Sequence, residues 1–122
     1  CNATGISDAY GTAIGTGAQN TISIEAGCTT TGTAADICAN LTLSAYGDWF
    51  LPSKDELNLM YQNIGQGNAL GLGNVGGFAN TGYWSSTEDD SFKAWSQFFH
   101  SGSQSNSNKF DTHYSVRAVR AF

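Results

Sequence analysis

Basic residues are scarce in this chain: five Lys and Arg stand against ten Asp and Glu, for a formal net charge of -5 over 122 residues. A polyanion such as duplex nucleic acid needs a broad basic face, so no general nucleic-acid partner is expected. A local basic pocket remains open, because Lys93, Lys109, Arg117 and Arg120 all fall in the last third and only Lys54 lies elsewhere. Charged residues of both signs make up 12%, against about 25% in an ordinary soluble domain. With abundant Gly, Asn, Ser and Thr, that balance suits a loop-rich extracellular domain better than a cytosolic enzyme. No apolar run approaches the roughly 18 residues of a membrane-spanning helix, so no direct membrane insertion is expected. No signal peptide is visible, and the chain reads as a soluble piece of something longer. Nucleophile-elbow patterns are missing too. His100 and His113 with Asp111 and a serine would be the only route to a catalytic triad, so no enzyme and no catalytic residue is expected.

Cysteine is limited to Cys1, Cys28 and Cys38. No spacing resembles a zinc site or a redox Cys-x-x-Cys pair, so no metal site is expected there. Three cysteines leave at least one without a partner in the chain. Cys28 with Cys38 is the preferred bridge, closing a short loop at about 3 kcal/mol of chain-entropy stabilisation. Cys1 as the partner stays an alternative. The length suits one domain burying roughly two-thirds of its unfolded surface. With 12% aromatics, the core is expected on Trp49, Trp84, Trp95 and several Phe and Tyr rather than on Leu.

What is present is organised around Gly47-Asp48-Trp49-Phe50-Leu51-Pro52-Ser53-Lys54-Asp55-Glu56-Leu57. Pro52 pushes Leu51 toward extended geometry, and Ser53 with Glu56 forms the Ser-x-x-Glu capping box that starts a helix. Leu57, Met60, Tyr61 and Ile64 follow at the spacing of one buried stripe, and Gly65 supplies the stop. Upstream, Thr16-Gly17-Ala18-Gln19 offers another capping box, predicting a helix over about Ala18 to Ala26. Thr33-Ala34-Ala35-Asp36 does the same, with Ala34, Ile37, Cys38 and Leu41 on one face. Residues 1–15 read as a lead-in or edge strand. Gly65 to Gly82 reads as a long surface loop pinned by Leu70, Leu72, Val75 and Phe78.

Tyr83 to Thr87 and Ala94 to Phe99 read as strands. In the second, Trp95, Gln97 and Phe99 are expected on the core side, leaving Phe98 and His100 partly exposed. Gly102 to Asn108 reads as a polar turn and Tyr114 to Phe122 as a closing strand. There, Val116 and Val119 are three apart and imply a bulge or two-sided burial. Helices first and strands last predict an α+β domain with two or three short helices and a small antiparallel sheet.

Four motifs occur in order: the Gly47 to Leu57 run, Tyr83-Trp84-Ser85-Ser86-Thr87-Glu88, Ala94-Trp95 with Phe99 and Gly102, and Val116-Arg117-Ala118-Val119-Arg120-Ala121-Phe122. Together they resemble the Lcl C-terminal domain family over residues 16–122. The resemblance implies a variant of the C-type-lectin-like fold, related in architecture to the formylglycine-generating enzyme domain. It further implies a homotrimeric adhesin head on a collagen-like stalk, extracellular or on a bacterial cell surface, that binds sulfated, heparin-like glycosaminoglycans in attachment and biofilm. The departures matter as much. The only proline is Pro52, so the Glu-Pro-Asn or Gln-Pro-Asp loop of a calcium lectin is missing. The paired late cysteines of the enzyme relatives are missing too, so neither activity is inherited and no cofactor is expected.

Glu88-Asp89-Asp90 reads as an acidic loop tip rather than a calcium corner, with Glu88 free to pair with Arg117 or Arg120. Sulfate needs Lys or Arg donors, and the field is locally positive only late in the chain. The expected ligand-binding residues are therefore Lys93, His100, Lys109, His113 and Arg120, with Phe98 as an apolar contact. Binding is expected to need no calcium, to weaken with salt and to strengthen as the histidines protonate. The alternative reading is a trimerisation or receptor-binding tip acting by protein-protein contact.

Overall fold

The computed structural model describes residues 4–121. At its centre the backbone N–H of Ser53 donates to Glu56 Oε1 at 2.8 Å and the N–H of Glu56 donates to Ser53 Oγ at 3.3 Å, closing the capping box. Three helices precede three strands: α1 (Gly17–Gly27), α2 (Ala34–Ala39), α3 (Lys54–Ile64), β1 (Gly82–Glu88), β2 (Lys93–Phe98) and β3 (Gln104–Asn108). The strands form one antiparallel sheet in the order β1-β2-β3. This is the small α+β architecture that the order of patterns predicts.

In β2 and just past it, Gln97 and Phe99 are buried and Trp95 is half-buried on the face that receives α3, where Gln97 Nε2 donates to Asn58 Oδ1, but Ser96 on the other face is buried as well, so the alternation is only partial. Lys54 Nζ lies 3.7 Å from the Trp95 ring centroid. Leu57, Phe78, Tyr83 and Phe99 close the largest apolar cluster, with Met60 and Tyr61 against it. Two of its four ring contacts are edge to face, as with Tyr61 on Phe99 at 5.4 Å and 83°, the geometry that aligns a positive ring edge with a negative face, and two are tilted. The three tryptophans are each half-buried rather than central. Leu51 and Leu57 are among the largest fully buried side chains, correcting the Trp-centred core.

Much of the remaining interior is polar. Asn20, Thr21, Ser53, Ser85, Ser86 and Thr87 are all buried. Thr87 Oγ1 donates to Gly11 O and accepts from the Lys54 N–H, while Asn20 Nδ2 donates to Ser86 Oγ. Among the described residues no buried side-chain nitrogen or oxygen lacks a partner. These bonds sit where the β1–β2 register shifts between Trp84 and Glu88. The shift frees the strand to bond Pro52 O through the Ser86 N–H and Ala9 O through the Glu88 N–H.

Several sequence expectations are overturned. Thr16 makes no side-chain cap on α1, because its hydroxyl donates instead to Ala13 O at 2.6 Å. Ile37 and Ile64 lie outside the buried stripes, since α2 and α3 each turn only a narrow face inward. Leu70, Leu72 and Val75 stand out in solvent, so of the four apolar side chains expected to pin that loop only Phe78 enters the core. Gln104–Asn108 is a strand and not a turn, because five successive residues pair with β2 and supply what β-propensity lacks. The Tyr114 to Phe122 stretch forms no strand within its described residues; it touches Tyr83 through Ser115 and Phe50 through Val119 as single bridges. Phe122 lies outside the described residues. Cys28 is disulfide-bonded while Cys38 is a free buried thiol, which excludes the Cys28–Cys38 bridge. The alternative partner, Cys1, lies outside the described residues. Residues 4–15 carry turns but no strand and run past the start of α3, where the N–H of Asp55 donates to Thr12 O.

Candidate functional site

The six residues singled out from sequence do not share one place. Lys93, at the start of β2, pairs in register with Asn108 at the end of β3, which puts Lys109 next to it along the chain. Phe98, the last residue of β2, and His100 just past it lie at the strand's opposite end, ring to ring at 5.6 Å, with Tyr114 also 5.6 Å from Phe98. His113 is almost fully exposed and bonds Asp111 through Nδ1 at 2.9 Å. Arg120 belongs to a separate corner, bonding both Asp48 oxygens at 2.7 and 3.0 Å and covering the Tyr46 ring at 3.7 Å.

Most of the cations are engaged inside the fold. Lys109 Nζ meets Glu88 Oε1 at 2.5 Å, with the two side chains 10% and 5% exposed. It also donates to Thr4 O and Ser91 O, and Glu88 Oε2 accepts from the Ile6 N–H. Glu88 therefore pairs with Lys109 and with neither arginine. Arg117 Nη1 donates to Gly76 O at 2.9 Å above the Phe78 ring. Only the Lys93 side chain, among the described cations, is exposed and without a partner. Phe92, next to it along the chain, and Phe110 are both more than half exposed, and the Lys109 N–H donates to Phe92 O.

The carboxylates of the 88–90 run diverge. Glu88 faces Lys109, Asp89 Oδ2 accepts from Asn106, and Asp90 Oδ1 accepts from the N–H groups of Phe92 and Lys93. Among the described residues no three His, Cys, Asp or Glu side chains converge as metal ligands. No serine hydroxyl there is hydrogen-bonded to either imidazole, so the His, Asp and Ser needed for acyl transfer are not assembled. Burial pushes the Cys38 thiol up to about 12, far from a reactive thiolate.

One concavity was not legible in the sequence. It is a groove of about 430 Å³ between the 29–33 turn with α2 on one side and the 109–116 segment on the other. Trp84, Ala94, Tyr114, Val116, Leu51 and Ile24 give it an apolar floor, and threonines and Asp111 rim it. Trp84 and Tyr114 stand edge to face at 4.8 Å and 84°. Tyr114 is fixed by its hydroxyl, which bonds Ser107 Oγ at 3.0 Å, itself 2.8 Å from Ser96 Oγ. No local pattern announces this site, because its lining comes from six separated stretches of the chain.

No helix of the described residues is long and apolar enough to cross a membrane. Comparison with curated proteins and with solved structures gives no match. Residues 9–120 match the family described as the Lcl C-terminal domain. That span takes in the central helix, all three strands and the groove, so the chain belongs to the Lcl C-terminal domain family, an adhesin-related family and not a known enzyme family.

Proposed function

We propose that this domain is the head of a surface-exposed adhesin and that it holds sulfated, heparin-like glycosaminoglycans, without calcium, as a homotrimer. Lys93 carries the reading. It is the one described cation free to meet a sulfate, and the exposed ring of the adjacent Phe92 offers apolar contact to a sugar face. An exposed charge of this kind contributes at most about 1 kcal/mol. Useful affinity therefore comes from several copies acting together. Lys109 and Arg120, engaged with Glu88 and Asp48, serve the fold first.

Retention on immobilised heparin at low salt tests this. Lys93→Ala should elute at clearly lower salt with an unchanged melting temperature, and chelator should change neither parent nor variant. Coelution of Lys93→Ala with the parent would remove the reading. A second reading, a receptor-binding or trimerisation tip, is favoured by Leu70, Leu72 and Val75, which are 80%, 64% and 62% exposed on one loop. A monomeric mass in solution would count against the trimer in both.

A further inference from the structure

We propose that the Trp84–Tyr114 groove is a separate binding site for a neutral pyranose, distinct from any contact with sulfated polymer. Its size falls in the range of about 300–1,000 Å³ typical of small-ligand clefts. A pyranose presents one face of C–H groups and a rim of hydroxyls, and the groove offers the complement of each. Trp84 is half-buried in the floor, and its Nε1–H has no partner among the described residues. The neighbouring Tyr114 ring is locked by the Ser107 and Ser96 hydroxyls, so the aromatic floor is ordered before any ligand arrives.

The rim supplies acceptors and hydroxyls. Asp111 Oδ1 is held by the backbone N–H and the Nδ1 of His113, each at 2.9 Å, which keeps its carboxyl below the usual range. Among the described residues its Oδ2 has no partner, and neither do the hydroxyls of Thr31 and Thr112, which line the groove with it. A carboxylate of this kind accepts from sugar hydroxyls by charge-assisted bonds. Charge settles the ligand class. Glu88 and Lys109 also line the groove, but they neutralise each other, and Asp111, hydrogen-bonded to His113 outside the lining, leaves the groove itself acidic. A sulfated or carboxylated sugar would be repelled there. Lys93 belongs to the opposite face of β2 from Ala94, outside the groove.

The test uses the full chain with methyl glycosides of galactose, glucose, mannose and fucose, followed by saturation-transfer NMR and tryptophan fluorescence. Binding in the millimolar range is expected, so each is carried to about 20 mM. At least one should receive saturation at its ring C–H protons and shift the fluorescence. Asp111→Asn keeps the turn geometry and should weaken binding several-fold, while Trp84→Ala should abolish it. Trp84→Phe, which keeps a ring without the N–H, should retain part of it and guards against misfolding of the alanine variant. An excess of heparin tetrasaccharide should leave the glycoside bound. The proposal is overturned if no glycoside responds, if Asp111→Asn and Trp84→Phe both bind like the parent, or if the tetrasaccharide displaces the glycoside.

Discussion

Replacing Lys109 with Met removes a charge from a site where it is nearly enclosed and leaves Glu88 buried beside the Ile6 N–H. Breaking one half of such a pair costs about 3–5 kcal/mol, because the stranded charge keeps its desolvation penalty. At about 2.1 cal/mol/K of unfolding entropy per residue, this chain loses roughly 0.26 kcal/mol of stability per degree near its midpoint. Lys109→Met should therefore melt about 12–20 °C below the parent in a calorimetric or circular-dichroism scan with the disulfide intact. The double variant Glu88→Leu with Lys109→Met should recover much of the loss, since exchanging both partners for apolar groups removes the stranded charge. A single variant melting within about 3 °C of the parent would refute the reasoning and show the pair to be solvated. The outcome also bears on binding experiments. Loss of heparin retention on replacing Lys109 would report a damaged fold, whereas the same loss at Lys93 would report a contact.

Gly17→Ala should destabilise by about 1–3 kcal/mol, measured by urea unfolding, because a Cβ there would meet the Glu56 carboxylate and come within 2.8 Å of Ser53 N and 2.9 Å of Leu51 O. Cys38 should stay unlabelled by a maleimide or disulfide reagent at pH 8 until denaturant is added, since the buried thiol is pushed up to about 12; fast labelling of the folded chain would contradict its burial. The Arg120 hydrogen bonds hold the Asp48 carboxyl below its ordinary value. A depressed carboxyl contributes stability that is present above the unfolded value of about 3.9 and is lost as pH falls through the lower folded one. The melting temperature of Asp48→Asn should thus lie below the parent at pH 6 and converge on it toward pH 3.

What the sequence made legible was local. Ser53 and Glu56 are three residues apart and satisfy each other, so no distant contact is needed to place α3. Thr33 with Asp36 worked for the same reason. Thr16 failed because Ala13 O, just outside the pattern, competes for the same hydroxyl. Gln104–Asn108 carries no strand signal, and only β2 makes it one. The expected site dispersed on similar grounds. Clustering of cations in the last third of the chain is proximity along the sequence, whereas Glu88 and Asp48, from earlier segments, capture Lys109 and Arg120 in space. The groove stayed hidden because Trp84 and Tyr114, thirty residues apart, become neighbours only when Ser115 bridges back to Tyr83.

The register shift in β1 has a bearing on self-association. An edge strand with free N–H and C=O groups invites another chain to pair with it. The outer side of β1 is occupied by three unrelated segments: Ser115 accepts from the Trp84 N–H and donates to Gly82 O, Pro52 O accepts from the Ser86 N–H, and Ala9 O accepts from the Glu88 N–H. No incoming strand could displace all three in one register. That leaves β3 as the open margin of the sheet, and its Gln-Ser-Asn-Ser-Asn run lacks the β-branched and aromatic side chains that drive stacking. Among the described strands, addition by aggregation or by a guest peptide has a single port, and it is a weakly adhesive one.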